Sequence, residues 1–165
     1  MDFIIKIYRK LIIVTFMVVV AISICCCIYS LVQNRKYESI SAYVLDSSPR
    51  DVEIFDISKG EQTKRIQINP KIRRVVVNYL QGITGMYVKA DALPKEGKVI
   101  RVPLDPSVEA ESQWLKEYGI DSVEEVFIFL PEQRSSYLLV LDSRHRPLFY
   151  TYDRDIDELL KLLEF

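Results

Sequence analysis

Cysteine, histidine and glycine are scarce in this chain of 165 residues, and each shortage excludes a kind of chemistry. The three cysteines are consecutive at positions 25–27, so no thiol follows residue 27. The long remainder of the chain therefore has no disulfide, zinc–thiolate site or cysteine nucleophile. The single histidine, His145, lacks the partners of a histidine-based metal site. Its polar neighbours indicate a solvated turn instead.

Motifs with a catalytic or metal-binding mechanism are also missing. None of the five glycines stands in a phosphate-binding arrangement, and no hydrolase elbow or zinc-protease motif is present. One carboxylate series matches four positions of a calcium loop, but Glu158 stands where that loop requires glycine; the series is Asp153, Asp155, Asp157 and Glu164. Helix capping explains the same carboxylates without an ion. We therefore predict no catalytic residue, no metal and no cofactor.

The overall charge excludes another class of function. The chain carries 22 basic and 23 acidic side chains, a formal net charge of −1. Nucleic-acid-binding domains are usually basic, because they neutralise phosphates. We predict no nucleic-acid partner.

Charge is absent between Lys10 and Arg35, where residues 11–32 form an apolar run. At about 1.5 Å per helical residue, this run covers roughly the 30 Å hydrocarbon core of a bilayer. It predicts a transmembrane helix that contacts lipid. A cleaved signal peptide is the main alternative, but the apolar run continues well past the small residues Ala21 and Ser23. A lipoprotein signal is disfavoured because Ile24 precedes the first cysteine.

The basic residues that flank this run predict its orientation. Three precede it, at positions 6, 9 and 10, and two follow it, at positions 35 and 36. Lysine and arginine are enriched on the cytoplasmic side of membrane spans. We therefore predict an uncleaved signal-anchor in the cell membrane, single-pass, with a cytoplasmic N-terminus and an extracytoplasmic C-terminal domain. In that orientation the cysteine cluster is interpreted as small apolar side chains that face lipid, and acylation is the alternative.

Four regions follow from these patterns. Residues 1–10 form a short basic tail, 11–32 the transmembrane helix, 33–50 a polar stalk and 51–165 a soluble domain. Alternating apolar residues and short loops predict strands in the domain at 52–57, 65–68, 85–89, 99–104, 126–130, 137–141 and 148–152. Capping and helical periodicity predict three helices, at 70–82, 105–119 and 153–165. The last is expected to begin with a capping box formed by Asp155 and Glu158.

The element order ββα, ββα, βββα predicts the fold class. We expect an α+β domain with a small antiparallel sheet, covered on one face by two or three helices.

Charged residues cluster in two stretches of the predicted domain. The segment 59–74 carries six basic residues against Glu61 alone, and 105–132 carries eight acidic residues against Lys116 alone. The first predicts a possible polyanion-contacting patch formed by Lys64, Arg65, Lys71, Arg73 and Arg74. The second stretch suits a basic partner. Ordinary solvated faces are the alternative interpretation of both.

These observations favour a membrane-anchored, non-catalytic interaction domain that binds another envelope protein or an anionic surface polymer. One alternative is a regulatory or accessory subunit of a larger membrane complex, which packs through the small residues of its span, such as Ala21 and Ser23. Another is a carboxylate-dependent enzyme that acts on glycans, with Glu124 or Glu125 in the reaction. The sequence resembles no family that would decide between them.

Overall fold

A computed structural model describes residues 17, 19–28, 51–88 and 93–165 of the chain. It divides into two units, Met1–Glu38 and Ser39–Phe165. In the first unit the described residues are helical, and residues 19–28 are named α1. Within the described residues, no helix is both long enough and apolar enough to cross a membrane. The predicted tail (1–10), the predicted stalk (33–50) and the rest of the predicted span lie outside the described residues.

The second unit is an α+β domain, as the sequence predicts. Its elements are β1 (Val52–Asp56), β2 (Glu61–Ile66), α2 (Pro70–Gln81), β3 (Ile83–Met86), β4 (Gly97–Glu109), α3 (Gln113–Lys116), β5 (Ser122–Pro131), β6 (Tyr137–Leu141), β7 (Pro147–Tyr152) and α4 (Asp157–Leu162). The strands form one sheet in the order β2-β1-β4-β5-β6-β7-β3. All neighbouring pairs are antiparallel.

Helix α2 forms where its capping signals predict it. The Asn69 side chain accepts hydrogen bonds from the backbone N–H groups of Lys71 at 2.9 Å and Ile72 at 3.0 Å. These two bonds satisfy donors that the first helical turn leaves free. Pro70 follows at the first helical position, where its missing N–H costs nothing.

The sheet has a buried core on each face, because successive strand residues point in opposite directions. On β5, Val126 and Ile128 belong to one core, while Phe127 and Phe129 belong to the other. The first core also contains the buried residues of α2, α3 and α4. We call this side of the sheet the helical face. The opposite side, called the aromatic face, is rich in Phe and Tyr.

The predicted helix that begins at Asp105 is wrong. Residues on both sides of the Asp105–Pro106 bond belong to the long strand β4, and this peptide bond is cis. The β4–β5 register shifts between Pro103 and Val108. Proline is tolerated in a strand at such an irregularity, since no ladder hydrogen bond is required there. The helix that does form, α3, has only four residues and starts after Ser112.

The predicted capping box of the last helix is also wrong. Helix α4 begins at Asp157, its N-cap is Ile156, and that residue makes no side-chain cap bond. Asp155 instead accepts a hydrogen bond from the Asp157 backbone N–H at 2.9 Å. This is a local turn of the kind that aspartate favours, and it replaces the cap.

Candidate functional site

The five basic residues predicted as one patch take up different roles. Lys64 and Arg65 are neighbours on β2, so they point to opposite sides of the sheet. The Lys64 ammonium donates to the backbone oxygens of Leu163 at 2.8 Å and Glu164 at 3.3 Å. Arg65 pairs with the buried carboxylate of Glu53. Both cations therefore stabilise the domain itself.

The other three residues of the predicted patch lie on α2. The Arg73 guanidinium donates to the backbone oxygen of Pro106 at 2.6 Å. Lys71 and Arg74 are exposed, and their three-residue spacing places them near each other on the helix surface. Neither has an ion pair or side-chain hydrogen bond within the described residues. The exposed part of the predicted patch is thus reduced to these two cations.

The acidic stretch builds a defined structure at the end of the β4–β5 hairpin. We call residues 109–122 the hairpin tip. Glu109 pairs with Ser122 in the sheet, and the Ala110 backbone N–H donates to the Asp121 oxygen at 2.9 Å. The tip is anchored in the helical-face core by three buried side chains, Ala110, Leu115 and Ile120. The strand pairing at its base and the burial of these three side chains therefore both fix the position of the tip.

Two large aromatic side chains remain exposed on this anchored tip. Trp114 is 38% exposed and Tyr118 is 44% exposed. They are four residues apart around α3 and its C-terminal turn. Trp114 lies beside β3, since a Cβ atom built on Gly85 would lie 3.9 Å from its ring. Exposed Trp and Tyr on a fixed backbone are typical of protein interfaces, where they act as anchors at low entropic cost.

A cavity of about 310 Å³ opens beside the hairpin tip. The first of its lining residues along the chain, Gly119, directly follows Tyr118. We call it the acidic cavity. Its walls come from the end of the tip, from β5 and from the β6–β7 turn; the lining residues are Gly119, Ile120, Asp121, Ser122, Glu124, Glu125, Leu141, Asp142, Ser143 and His145. The side chains of Asp121 and Glu124 are exposed. They form no hydrogen bond or ion pair within the described part of the chain.

Asp142 has a structural role in the cavity wall. One carboxylate oxygen accepts from the backbone N–H groups of Arg144 and Arg146, both at 2.8 Å, and the other accepts from the Arg146 side chain at 2.7 Å. The hydrogen bond from the Arg146 backbone is the main reason why the pKa of Asp142 is lowered. These bonds close the β6–β7 turn. His145 lies exposed in that turn, as the sequence predicts.

Glu125 is the least solvated carboxylate of the cavity, with a side chain only 13% exposed. The Arg101 guanidinium donates a hydrogen bond from Nε to its Oε2 atom at 2.9 Å, and Nη2 forms an ion pair with the same oxygen at 2.8 Å. Burial raises the pKa of Glu125, while the charge and hydrogen bonds of Arg101 act in the opposite direction. Within the described residues Oε1 accepts no hydrogen bond. Glu125 therefore has one oxygen without a described hydrogen-bond donor.

Tyr150 lies on the helical face and is fully buried. Its hydroxyl group has no hydrogen-bond partner within the described residues. Burial raises its pKa to about 12, and the charges of Tyr118 and Asp142 add to the effect.

The carboxylates that match a calcium loop in sequence are engaged separately. Asp153 pairs with Arg154 at 3.1 Å, and Glu164 lies 3.9 Å from the Lys64 ammonium. Over the described ranges, no three His, Cys, Asp or Glu side chains gather in a metal-binding group.

No protein-family model matches the chain, and comparisons with curated proteins and with solved structures also found no match. Sequence reasoning identified the acidic stretch but not the hairpin tip or its cavity. The signal that was available is the position of the only tryptophan, Trp114, in the middle of that stretch.

Proposed function

We propose that this protein is a membrane-anchored, extracytoplasmic, non-catalytic interaction domain that binds another envelope protein through the hairpin tip. The anchor is supported by the uncharged run 11–32 and by its flanking basic residues. It is also supported by α1, on which Val19, Ile22 and Ile24 are all more than half exposed. An apolar surface of this extent is unfavourable in water, and a lipid bilayer would bury it.

The exposed pair of aromatic residues carries the proposal of a protein partner. The tip buries Leu115 and Ile120 in the core, yet it presents Trp114 and Tyr118 to solvent. A domain that needed these rings only for stability would bury them, since each offers more than 150 Å² of surface. Truncation of such aromatic anchors typically removes a large part of the binding energy of an interface.

Photo-crosslinking in intact membranes tests this proposal. A photoreactive amino acid is placed at Trp114 in the full-length protein, and the matched control carries it at Gln133, an exposed residue of the β5–β6 loop. We expect a discrete adduct from position 114 that the control does not give. Equal adduct patterns from both positions, or no adduct at all, would contradict a binding surface at the tip.

An anionic surface polymer is less well supported as the ligand than a protein. Only Lys71 and Arg74 of the five predicted cations are both exposed and without a described partner. The polymer proposal predicts that Lys71→Gln with Arg74→Gln weakens attachment to isolated cell-surface polymer. The protein proposal predicts no change.

A carboxylate enzyme that acts on glycans is the second candidate, and the acidic cavity favours it. Glu125 combines a raised pKa with a neighbour, Glu124, in the same cavity. Retaining and inverting glycosidases need two carboxyl groups that face each other across the bond, roughly 5 to 9.5 Å apart. Release of new reducing ends from isolated cell-wall glycan, lost in Glu124→Gln and in Glu125→Gln, would support this candidate. If no release is found with the unmodified protein, the enzyme proposal fails.

The role of an accessory subunit remains the third proposal, and it rests on the span alone. Replacement of Ala21 and Ser23 by leucine would then disrupt assembly with a larger membrane protein while insertion continues. Normal assembly in this variant would refute packing through that side of the helix.

A further inference from the structure

We infer that the partner of the hairpin tip contributes an extended, uncharged polypeptide segment, which pairs as an additional strand with the open edge of β3 beside Trp114. This inference rests on the proposed function and names the way in which the partner is bound. Among the described strands β3 stands last in the sheet, because it pairs with β7 alone. The backbone N–H and C=O groups on the outer side of an edge strand lack a partner in the sheet, and they bind another strand readily.

The register of β3 shows which backbone groups point away from β7. Met86 stands opposite Tyr150, and the next residue, Tyr87, donates its N–H to the Phe149 oxygen at 2.8 Å. In an antiparallel pair, residues that exchange hydrogen bonds alternate with residues that do not. Since Tyr87 is bonded to β7, the N–H and C=O groups of Met86 and Val88 point to the open side. They present donors and acceptors at the two-residue spacing of an extended strand.

The two edges of the sheet differ in charge. β2, at the opposite edge, carries Glu61, Lys64 and Arg65, and charged side chains on an edge strand oppose pairing with another chain. Residues 83–88 carry no charge at all. Val88 is 86% exposed, the highest value among the large apolar side chains of the described residues. The β3 edge therefore lacks the charges that protect the β2 edge, and it ends in an apolar side chain that a bound strand would cover.

Trp114 places an aromatic ring next to this edge. A Cβ atom built on Gly85 would lie 3.9 Å from the ring, and more than a third of the Trp114 surface is exposed. Side chains of a strand alternate between the two sides of a sheet, so every second residue of an added strand shares one side. Aromatic and β-branched side chains make the most favourable neighbours in a sheet. We therefore expect residues such as Val, Ile, Phe or Tyr at alternate positions of the partner segment.

A second copy of this chain fits the edge less well than a different protein. Pairing of β3 with β3 of another copy would place two hairpin tips in one interface, because Trp114 lies beside its own edge strand. The stretch 105–132 that contains the tip carries eight acidic residues against Lys116 alone. Like charges brought together in an interface repel each other. The occupant that the edge favours is thus a strand of another protein.

Proline at position 88 tests the backbone pairing separately from the side chain. Val88→Pro removes the N–H group that points to the open side, whereas Val88→Ala keeps this group and only shortens the side chain. Both variants carry the photoreactive amino acid at position 114 in intact membranes. We expect the adduct yield of V88P to fall about tenfold below that of V88A, because the blocked edge leaves a backbone acceptor of the partner unpaired. Equal yields from two variants with matching thermal midpoints would overturn strand pairing.

Hydrogen exchange tests the same pairing without any change in β3. The complex crosslinked through position 114 is purified in detergent and compared with the free full-length protein by mass spectrometry. Strand addition places the outward N–H groups of Met86 and Val88 in hydrogen bonds, so we expect their exchange to slow about tenfold or more. Peptides from β2 serve as the control and should exchange equally in both samples. Unchanged exchange over residues 83–88 would refute the added strand.

The adduct from position 114 distinguishes failure of this inference from failure of the proposed function. If the adduct forms but V88P and hydrogen exchange both show no role for β3, the interaction domain stands and strand pairing is refuted. An adduct that joins two copies of this chain would overturn a separate partner protein. Absence of any adduct contradicts the proposed function itself.

Discussion

The Arg101 guanidinium donates a hydrogen bond from Nε to Oε2 of Glu125 and forms an ion pair with the same oxygen through Nη2, and this pair lies almost entirely out of solvent. Arg101, which is only 1% exposed, stands opposite Glu53 in the sheet register, and Glu53 stands opposite Arg65. Four alternating charges therefore cross four neighbouring strands, β2, β1, β4 and β5, on the aromatic face. The Phe127 ring lies 5.3 Å from the Arg101 guanidinium and adds a cation–π contact.

Replacement of Arg101 by methionine tests the role of this row in stability. The change removes the cation that neighbours both Glu125 and Glu53, in a region that has little contact with water. Breaking a buried pair by removing one partner costs about 3–5 kcal/mol. We expect a loss of that size in the free energy of unfolding measured by urea titration. Lys95→Met, at an exposed loop position, is the control, and a loss below about 1 kcal/mol in R101M would contradict a stabilising role.

Glu125 makes the stability of the domain dependent on pH. Because burial raises its pKa in the folded state, the folded protein binds this proton more tightly than the unfolded chain does. The contribution to stability is therefore full at pH values below the ordinary glutamate pKa, and it is lost as the pH rises through the raised value. Glu125→Gln removes this titration, so its stability relative to the unmodified protein should improve as the pH rises above the ordinary glutamate pKa of about 4.3.

Urea unfolding of both proteins at a series of pH values measures this difference. Glu132→Gln, at an exposed position, serves as the control and should follow the unmodified protein at each pH. A difference between E125Q and the unmodified protein that stays constant over this range would show that Glu125 does not titrate there.

Asn69 should stabilise α2 through its side chain alone. Asn69→Ala removes the acceptor of two backbone N–H groups, and loss of such a cap costs about 1 kcal/mol. Asn69→Asp keeps the acceptor and should restore most of the stability. Asn78→Ala, on the exposed side of the same helix, is the matched control. Equal midpoints of unfolding for N69A and N69D would show that the cap bonds are not important.

The parts of the fold that the sequence predicted well are those specified by local chemistry. The N-cap of helix α2, the proline at its first position and its apolar residues at helical spacing all lie within fourteen residues. The β1–β2 hairpin has a turn glycine, Gly60, at φ 71°, and the β5–β6–β7 meander has short loops between apolar runs. Each of these signals acts between neighbours in the chain, so a single sequence contains it.

The errors fall where long-range pairing overrides a local signal. Asp105–Pro106 has the pattern of a helix start, but β4 continues through it because residues 108 and 109 pair with β5. Ser122 to Glu125 are mostly polar and gave no strand signal, yet they form the other half of that pairing. Tertiary contacts of this kind override propensity.

The acidic cavity was beyond prediction for a related reason. Its walls come from residues 119–125 and 141–145, and only the strand order brings them together. The sequence shows that these segments are charged, but it does not show that Glu125 faces Arg101 on the neighbouring strand. The predicted basic patch is continuous in sequence but divided in space, because neighbouring strand residues such as Lys64 and Arg65 point to opposite sides of the sheet.

The membrane anchor can be tested by two charges placed within α1. Val20→Arg with Ile24→Arg introduces guanidinium groups into the apolar run, and insertion scales assign each about 2.5–3.5 kcal/mol at the centre of a span. We expect the doubly substituted protein to leave the membrane fraction on carbonate extraction. Val20→Leu with Ile24→Leu preserves the apolar character and should stay in that fraction. Equal extraction of both variants would contradict a bilayer-spanning role for residues 11–32. Protease added outside intact cells should cleave the domain of the leucine variant, because the proposed orientation places an anchored domain outside the cell. The domain of the arginine variant should stay intact.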